Sequence, residues 1–492
     1  MPITIQLTEE RSLHQQIVDT LRDGIQRGEL SIGERLPTSR TLAHEIGVSR
    51  TTVVRAYEQL AREGWVEGRV GQGTTVIERS PGAKHTDGGV NWDLLVTSRT
   101  CAPQADFVDL LRLLSRSDLI SFAGGLPAPE HFPMAALQQV TADVLKHEDP
   151  RLLQWCPVEG YPPLRSWIAE RVHRDIDDIL VLAGSTQGIH LLCQSLLEPG
   201  DMVVVEAPTY PGALSAFRNA GVQVVGVPCG PYGMDGNALR DVLANVHPKL
   251  IYTIPTFHNP TGGTMPRSVR NDILGLTAEH RVPLIEDDPY SLLRYDGTPL
   301  PHLVELDRSG YVVHLSTFSK VLTPGLRVGW LVADPNLIRR LSVTRNLIDL
   351  FVNSLAQASL YRFCQRGQLD YHVQHVRPLY KERRDAMAAA LTRYCPQLRF
   401  VVPDGGLFIW AFLPDGLSAR ALLRHAVQLG VGFAVGSLFY PEDGGSNAVR
   451  LCFAGHSPEA IGTGIRKLGT ALTRCEADGV EEDVPTAQGF IV

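Results

Sequence analysis

The hydrophobic residues near the start of the chain recur at helical spacing and predict three short helices. Apolar side chains stand at every fourth position from Leu13 to Ile25, which places them on one face of a first helix. A second helix is expected from about residue 38 or 39 to Gly47, because glycine commonly ends helices. Ser49 can cap a third helix. The buried face of this helix is formed by Val53, Ala56, Tyr57 and Leu60.

A change of pattern after the third helix predicts a small β-hairpin and then a linker. The stretch WVEGRVGQGTTVI reads as two short strands around a glycine-rich turn, which is typical of a hairpin. We therefore assign residues 1–78 to a first domain. Residues 79–92 are rich in glycine and polar residues and have no hydrophobic period, so they are interpreted as a linker.

Beyond residue 92, short apolar strands alternate with segments of helical length. This alternation predicts a mostly parallel sheet with helices on both faces, within a domain of residues 93–474. The predicted strands are Ile179–Leu182, Met202–Val205, Leu250–Ile254, Val282–Ile285, Val312–Leu315 and Val328–Val332. The large part spans about 120–376, and a smaller α+β lobe follows from about 377, with strands near Arg399–Val402 and Leu407–Phe412. Residues 475–492 are acidic and polar and predict a flexible tail. The expected fold class is multi-domain, a small α+β unit followed by a larger α/β domain.

Composition narrows the class of protein. A chain of 492 residues with 44% hydrophobic and 20% charged residues is typical of a soluble protein of two or three domains. The formal net charge of -7 does not favour general coating of nucleic acid or membrane, so any DNA contact must come from a local patch. The 8 cysteines show neither CxxC nor metal-ligand spacing, so we expect free thiols and no metal site. Without a signal-like N-terminus or about 18 consecutive apolar residues, the protein is predicted to be cytoplasmic.

The short GVS connection between the second and third helices is typical of a helix-turn-helix, whose recognition helix places its first side chains in the major groove. The candidate contacts are Ser49, Arg50, Thr51 and Thr52 to bases, Arg35, Arg40 and Arg55 to phosphates, and Arg69 of the wing turn to the minor groove. Taken singly, each arginine is more often a solvent-exposed residue, and three-helix units also serve as plain interaction modules.

The whole stretch strengthens the DNA-binding interpretation. GELSIGERLPTSRTLAHEIGVSRTTVVRAYEQLAREG, from Gly28 to Gly64, resembles the winged helix-turn-helix of GntR-type bacterial repressors. This resemblance implies a double-stranded DNA operator as partner. Because the unit is nearly charge-balanced, we expect a single copy to bind weakly and a dimer to be required.

A second group of residues centres on a lysine. Desolvation and nearby charge convert a lysine into a free amine that traps carbonyls, and Lys320 follows an apolar strand where this is expected. The ordinary alternative is a surface lysine. Arg327 offers a planar fork for a phosphate, and the hydroxyls of Thr317 and Ser319 can assist. Residues 184–187 lie between a strand and a helix, where backbone N–H groups bind anions.

Four further residues extend this group. Asp287 at a strand end can hold a pyridinium proton, and Tyr290 follows three positions later. Asn259 on a turn can donate to a phenolate oxygen, and Tyr210 can stack on an aromatic ring. Each has a plain structural explanation as a turn, core or capping residue. Together with the lysine they form the set that pyridoxal 5'-phosphate (PLP) requires.

The region from about Ile120 to Leu472 resembles a fold-type I aminotransferase of the 2-aminoadipate and aromatic group, in the stretches SFAGGLPAPEHFP, EGYPPLR, HNPTGG, EDDPY, STFSKVLTPGLRVGW, GGLFIW and RLCFAG. The resemblance implies the following roles: Lys320 as the catalytic Schiff-base lysine, Asp287 at the pyridine nitrogen, Asn259 and Tyr290 at O3', Tyr210 on the ring, Ser185, Thr186, Ser319 and Arg327 at the phosphate, and Arg450 at the carboxylate of the substrate or effector. Trp155 stands where many relatives carry a tyrosine that reaches the neighbouring subunit's cofactor phosphate.

The order of the parts, over nearly the whole chain, resembles the MocR subfamily of bacterial regulators. This resemblance implies a PLP-dependent transcriptional regulator, a head-to-tail homodimer that senses an amino acid, an amine or PLP. In the mechanism we expect, the effector's amine replaces Lys320 on the cofactor and engages Arg450, which favours one domain arrangement. An active aminotransferase acting on an L-amino acid is the alternative, with Lys320 as the proton-transferring base. A scaffold with a vestigial pocket is poorly supported, because the set is intact.

Overall fold

The computed structural model describes residues 13–27, 30–31, 33–62, 65–69, 73–76, 110 and 112–478. The chain divides into two compact units, residues 1–98 and residues 99–492. The linker predicted at residues 79–92 lies outside the described residues. Within the described part, no helix is both long and apolar enough to cross a membrane.

The first unit contains three helices and a hairpin, as the hydrophobic pattern predicts. Its elements are α1 (Leu13–Gln26), α2 (Ser39–Glu45), α3 (Arg50–Arg62), β1 (Val66–Arg69) and β2 (Gly73–Val76). The apolar faces of the helices and both strands form one buried cluster. The hydroxyl of Ser49 accepts a 3.2 Å hydrogen bond from the Thr52 amide, so Ser49 caps α3 as expected.

The second unit is built on an eight-stranded sheet in the order β4-β11-β10-β9-β8-β5-β6-β7. The strands are β4 (Ile179–Leu182), β5 (Met202–Ala207), β6 (Gln223–Gly230), β7 (Gly233–Met234), β8 (Leu250–Thr253), β9 (Leu284–Asp288), β10 (Val312–Thr317) and β11 (Gly329–Val332). β11 and β7 run antiparallel to their neighbours, and the other strands are parallel to one another. The sheet is therefore mixed but mostly parallel, as the hydrophobic pattern predicts, with β11 and β7 as the two exceptions.

Helices cover both faces of this sheet. They are α4 (Met134–His147), α5 (Pro162–Arg171), α6 (Ser185–Leu196), α7 (Pro211–Asn219), α8 (Gly236–Asn245), α9 (Arg267–His280), α10 (Leu303–Leu306), α11 (Pro335–Asp349), α12 (Ser354–Gln365) and α13 (Gln368–Tyr394). In β4, Leu180 and Leu182 belong to one buried cluster, while Ile179 and Val181 belong to another. A strand that is buried on both faces has no polar alternation, which explains its continuous apolar run.

The smaller lobe contains a second sheet, ordered β12-β13-β16-β15, and a short parallel pair of β3 and β14. Its strands are β3 (Ile120–Ser121), β12 (Arg399–Phe400), β13 (Phe408–Phe412), β14 (Val431–Gly432), β15 (Ala434–Val435) and β16 (Ala448–Cys452), and its helices are α14 (Ala419–Gln428) and α15 (Pro458–Asp478). Because α15 runs to Asp478 and buries Cys475, it extends past residue 475, where the flexible tail was predicted to begin. The rest of that tail lies outside the described residues.

Candidate functional site

A cavity of about 470 Å³ lies at the carboxyl ends of the central strands. Segments that leave β4, β5, β8, β9 and β10 meet here with residues of the smaller lobe, because parallel strands end at the same edge of a sheet. All ten residues predicted to bind cofactor or effector line this cavity: Ser185, Thr186, Tyr210, Asn259, Asp287, Tyr290, Ser319, Lys320, Arg327 and Arg450.

Lys320 follows β10 and points its amine into the cavity. Its Nζ donates a 2.7 Å hydrogen bond to the carbonyl oxygen of Gly125. Burial lowers the pKa of Lys320 to about 8. A larger fraction of this amine is therefore neutral near pH 7 than in an exposed lysine, which is the form that attacks an aldehyde. Sequence reasoning did not identify Gly125, because a backbone carbonyl leaves no signal in side-chain chemistry.

Asp287 lies on β9 with one oxygen bound and the other without a partner. Tyr252 on β8 donates a 2.7 Å hydrogen bond to its Oδ2, while the buried Oδ1 has no hydrogen-bond partner in the described structure. Burial raises the pKa of Asp287 to about 6, against the effect of the tyrosine bond. An unpaired buried carboxylate oxygen is costly, so it suits a ligand that brings a proton donor. The protonated ring nitrogen of PLP is such a donor.

Tyr252 was missed by the sequence analysis. It pairs with Ile285 in the register of β8 and β9, so it shares a face of the sheet with Asp287, two residues further along. The available signal was a hydroxyl group within an otherwise apolar buried strand. Such a group needs a partner, but the partner cannot be named before the strand order is known.

The start of α6 and Arg327 form a site for an anion. Gly184 caps α6 with φ 102°, and a Cβ there would come within 2.5 Å of Nη2 of Arg327. Glycine therefore permits the guanidinium to lie against the helix end, where Nη2 donates to the Ala183 carbonyl at 2.9 Å. Ser185 and Thr186 form the first turn of α6 and add hydroxyls beside backbone N–H groups. On the other side, the hydroxyl of Thr317 donates to that of Ser319 at 2.9 Å.

Two tyrosines flank the centre of the cavity. The ring of Tyr210 packs on Gly212, where a Cβ would approach its Cζ to 2.4 Å. Burial raises the pKa of Tyr210, while its hydrogen bond with Thr186 acts in the opposite direction. Tyr290 is buried and meets Phe408 edge to face, with ring centroids 5.7 Å apart. Both phenols therefore remain protonated donors.

Arg450 on β16 is a buried cation that faces the same cavity. Its Nη1 donates to Oδ1 of Asn259 at 2.8 Å, and its Nη2 donates to the Ala123 carbonyl at 2.6 Å. Its guanidinium lies over Phe408 and Phe439, 4.3 Å and 4.9 Å from the ring centroids. Arg450 forms no ion pair with a carboxylate of the described chain, and its Nε has no hydrogen-bond partner there. An unpaired buried guanidinium suits the carboxylate of a small ligand.

The first unit presents most of the predicted DNA contacts on its surface. Exposed side chains are those of Arg35, Arg40, Ser49, Arg50, Thr51 and Arg55. Thr52 is half-buried, and its hydroxyl lies 2.8 Å from that of Ser49, so these two hydroxyls stabilise the start of α3. Arg69 ends β1, opposite Gly73, and its side chain lies outside the described structure.

Comparison with known proteins assigns each of the two units to a family. The family model for bacterial regulatory proteins of the gntR family matches residues 13–76, and that for aminotransferase class I and II matches residues 118–468. The uncharacterized HTH-type transcriptional regulator YdfD of Bacillus subtilis is 31% identical, over 93% of this chain and 96% of that protein. The probable rhizopine catabolism regulatory protein MocR of Rhizobium meliloti is 30% identical, over 95% of each chain.

A solved structure supports the assignment of the second unit to the aminotransferase family. The crystal structure of LysN, an α-aminoadipate aminotransferase from Thermus thermophilus complexed with N-(5'-phosphopyridoxyl)-L-leucine, is 37% identical with a TM-score of 0.75, and covers 79% of this chain and 100% of its own. PLP is the cofactor of this aminotransferase family. Since the two regulators match nearly the whole chain, the protein belongs to the MocR-type transcriptional regulators, which join a GntR-family DNA-binding domain to an aminotransferase-like domain.

Proposed function

We propose that this regulator changes its affinity for an operator when an amino compound reaches the cofactor held at Lys320. The observation that carries the proposal is the cavity itself, where the Lys320 amine and the unpaired Arg450 guanidinium face one space. PLP supplies an aldehyde that reacts with amines and a ring that withdraws electrons. A small molecule with an amine and a carboxylate would engage both groups at once.

Each cavity residue has a definite task in this proposal. Lys320 would hold the cofactor through its Nζ, and Oδ1 of Asp287 would accept a hydrogen bond from the protonated ring nitrogen. Asn259 and Tyr290 would donate to O3', and Tyr210 would cover the ring. The phosphate would be bound by Ser185, Thr186, Ser319 and Arg327. Ser185 and Thr186 lie at the N-terminus of α6, and a helix N-terminus favours an anion. This supports an orientation of the cofactor with its phosphate at this helix end.

Arg450 would transmit the arrival of the effector. Its hydrogen bonds to Asn259 and the Ala123 carbonyl hold it in the absence of a carboxylate. An effector carboxylate would compete for the same Nη atoms, and its amine would release Lys320. An effector can shift the equilibrium between two domain arrangements only if it binds one of them more tightly. Its contacts with Arg450 and with the cofactor at Lys320 must therefore differ between the two arrangements.

We also propose a cytoplasmic, head-to-tail homodimer that presents two winged units to an operator with two half-sites. Exposed apolar side chains support association, among them Trp155 at 63% exposure and Leu347 at 82%. Trp155 would donate its indole N–H toward the partner's cofactor phosphate, with a geometry different from that of tyrosine.

The deciding experiment combines DNA binding with spectroscopy on the full-length protein. Gel-shift assays would use DNA that surrounds the protein's own gene, with and without PLP and a panel of amino acids. Absorption spectra and keto-acid release would be recorded in parallel, with Lys320→Ala as the control. We expect a spectral change and altered DNA affinity for one effector, without keto-acid production. A lack of DNA binding under every condition would contradict the proposal.

An active aminotransferase remains the second candidate, since every residue required for PLP chemistry lines the cavity. Lys320 would then also move the proton between the substrate's Cα and the cofactor. Sustained keto-acid release by wild type, abolished in Lys320→Ala, would make this activity primary.

A further inference from the structure

Three side chains with metal-binding atoms converge away from the cofactor cavity. Glu206 on β5, Cys229 on β6 and His258 after β8 each place one ligand atom within 4.8 Å of the other two. The parallel register sets Glu206 opposite Val227, so Cys229, two residues further, lies on the same face of the sheet. Spacing along the chain did not reveal this group, because its members come from three separate segments.

His258 directs Nε2 to the centre of this group, toward the Glu206 carboxylate. Its side chain is buried, and Nε2 lies 3.1 Å from Oε2 of Glu206 yet forms no hydrogen bond in the described structure. Its other nitrogen, Nδ1, lies 3.0 Å from Oγ1 of Thr261. The Thr261 amide also donates to Nδ1 at 3.4 Å, so Thr261 fixes the ring with Nε2 directed at the Glu206 carboxylate, where a cation can replace the Nε2 proton.

Glu206 is a buried carboxylate in need of positive charge. Oε1 accepts a 2.8 Å bond from the Thr253 hydroxyl, and Oε2 accepts a 2.8 Å bond from the Ile254 amide. These bonds orient the carboxylate, and its ion-pair partner in the described structure is the His258 ring, which is charged only when protonated. A divalent cation held by this carboxylate and a thiolate would give a neutral buried site.

We propose that Glu206, Cys229 and His258 bind a divalent cation of the zinc class. Thiolate, imidazole and carboxylate are the ligands of tetrahedral zinc, and three protein ligands leave one position for water. A cavity of about 450 Å³, lined by Cys229 and Thr261, gives access to the group. On binding, the Cys229 thiol and Nε2 of His258 each release a proton to solvent, and the imidazole stays neutral by taking up a proton at Nδ1, 3.0 Å from Oγ1 of Thr261.

One peptide bond joins the proposed cation site to the cofactor cavity. His258 directly precedes Asn259, whose Oδ1 accepts the hydrogen bond from Arg450. Fixing His258 by a cation therefore restrains the residue that contacts Arg450.

The test uses the full-length protein after treatment with a chelator. Titration with Co²⁺ should produce the visible d–d bands of a tetrahedral site, at longer wavelengths than cofactor absorption, with one cation per chain. Zn²⁺ should remove these bands by displacement. Cys229→Ser should weaken binding roughly tenfold or more, whereas Cys193→Ser, a buried thiol of α6 outside the group, should bind like wild type.

A second measurement uses the wild type alone and does not depend on the folding of a variant. Zn²⁺ should slow alkylation of Cys229, located by peptide mass mapping, and leave the rates at other cysteines unchanged. Absence of the cobalt bands, equal binding by Cys229→Ser, or alkylation of Cys229 that ignores Zn²⁺ would each overturn the proposal. None of these results depends on DNA binding or on an effector, so failure here leaves the regulatory function standing.

Discussion

Tyr252 donates a 2.7 Å hydrogen bond to Oδ2 of Asp287, while Oδ1 of the same carboxylate has no partner in the described structure. One oxygen is thus oriented by the protein, and the other is directed to a ligand. Because the pKa of Asp287 is raised only to about 6, the group remains an anion near pH 7 and can accept a hydrogen bond from a protonated ring nitrogen. This relationship leads to two predictions.

Asp287→Asn should stabilise the protein without cofactor at pH 8 and weaken cofactor binding. The folded pKa of about 6 lies above the ordinary value of 3.8, so the contribution of Asp287 to stability is present at low pH and is lost as pH rises through 6. Two pKa units correspond to at most about 3 kcal/mol. Urea unfolding at pH 4 and pH 8 measures the difference. If Asp287→Asn changes the free energy of unfolding equally at both pH values, the prediction is wrong.

Tyr252→Phe should remove the fixed donor and raise the pKa of Asp287 further. We expect a loss of about 1–3 kcal/mol in unfolding free energy and weaker cofactor binding. Tyr295→Phe is the matched control, since Tyr295 donates to the Gly406 carbonyl and does not line the cavity. Both variants should lose stability, but only the first should lose cofactor affinity in an absorption titration. Equal cofactor affinity in the two variants would argue against a role for Tyr252.

Cofactor capture should accelerate with pH up to about 8. Below the Lys320 pKa of about 8, the neutral amine increases roughly tenfold per pH unit, and above this pKa it is nearly constant. Stopped-flow absorption after mixing the cofactor-free protein with PLP gives the rate. Lys320→Arg tests the origin of the effect, because it keeps a positive charge and provides no reactive amine. A rate that does not change between pH 6 and pH 8 would show that another step limits capture.

The sequence predicted residues better than it predicted their partners. Lys320 and Asp287 carry chemistry that side-chain type and local strand pattern reveal, and the family resemblance added Arg450. The roles of Tyr252 and of the cluster of Glu206, Cys229 and His258 could not be predicted in this way, because they depend on strand order and register. β6 was not predicted as a strand, since Gly226 and Pro228 interrupt its apolar run, and pairing with β5 compensates for both.

Strand boundaries show the same limit. β9 was expected to end at Ile285 but continues to Asp288, so polar residues extend a buried strand. They are tolerated because each finds a partner or faces the cavity. Glu286, for example, accepts bonds from the Leu303 and Val304 amides, and these partners are remote in sequence. Hydrophobic patterning cannot anticipate such bonds.

Arg450→Gln should weaken binding of the effector through its carboxylate. The loss of a charge-assisted hydrogen-bond pair is expected to cost about 1.5–3 kcal/mol, or roughly 10- to 150-fold in affinity. The control is the effector's decarboxylated amine, which should bind wild type and variant alike. Spectral titration of the bound cofactor measures both ligands. An equal loss for acid and amine would indicate that Arg450 supports the cavity and does not bind the carboxylate.

Two arginines of α3 should have separable effects on DNA. Arg50 lies in the first turn of the recognition helix, and Arg50→Ala is expected to cost about 1–3 kcal/mol on the operator and little on unrelated DNA. Arg55 lies further along the exposed surface, and Arg55→Ala should weaken both DNAs alike. The slope of log K against log salt should fall by about one in Arg55→Ala, since one phosphate contact is lost. Fluorescence anisotropy over a salt series distinguishes the two, and an unchanged slope in Arg55→Ala would remove this residue from the phosphate contacts.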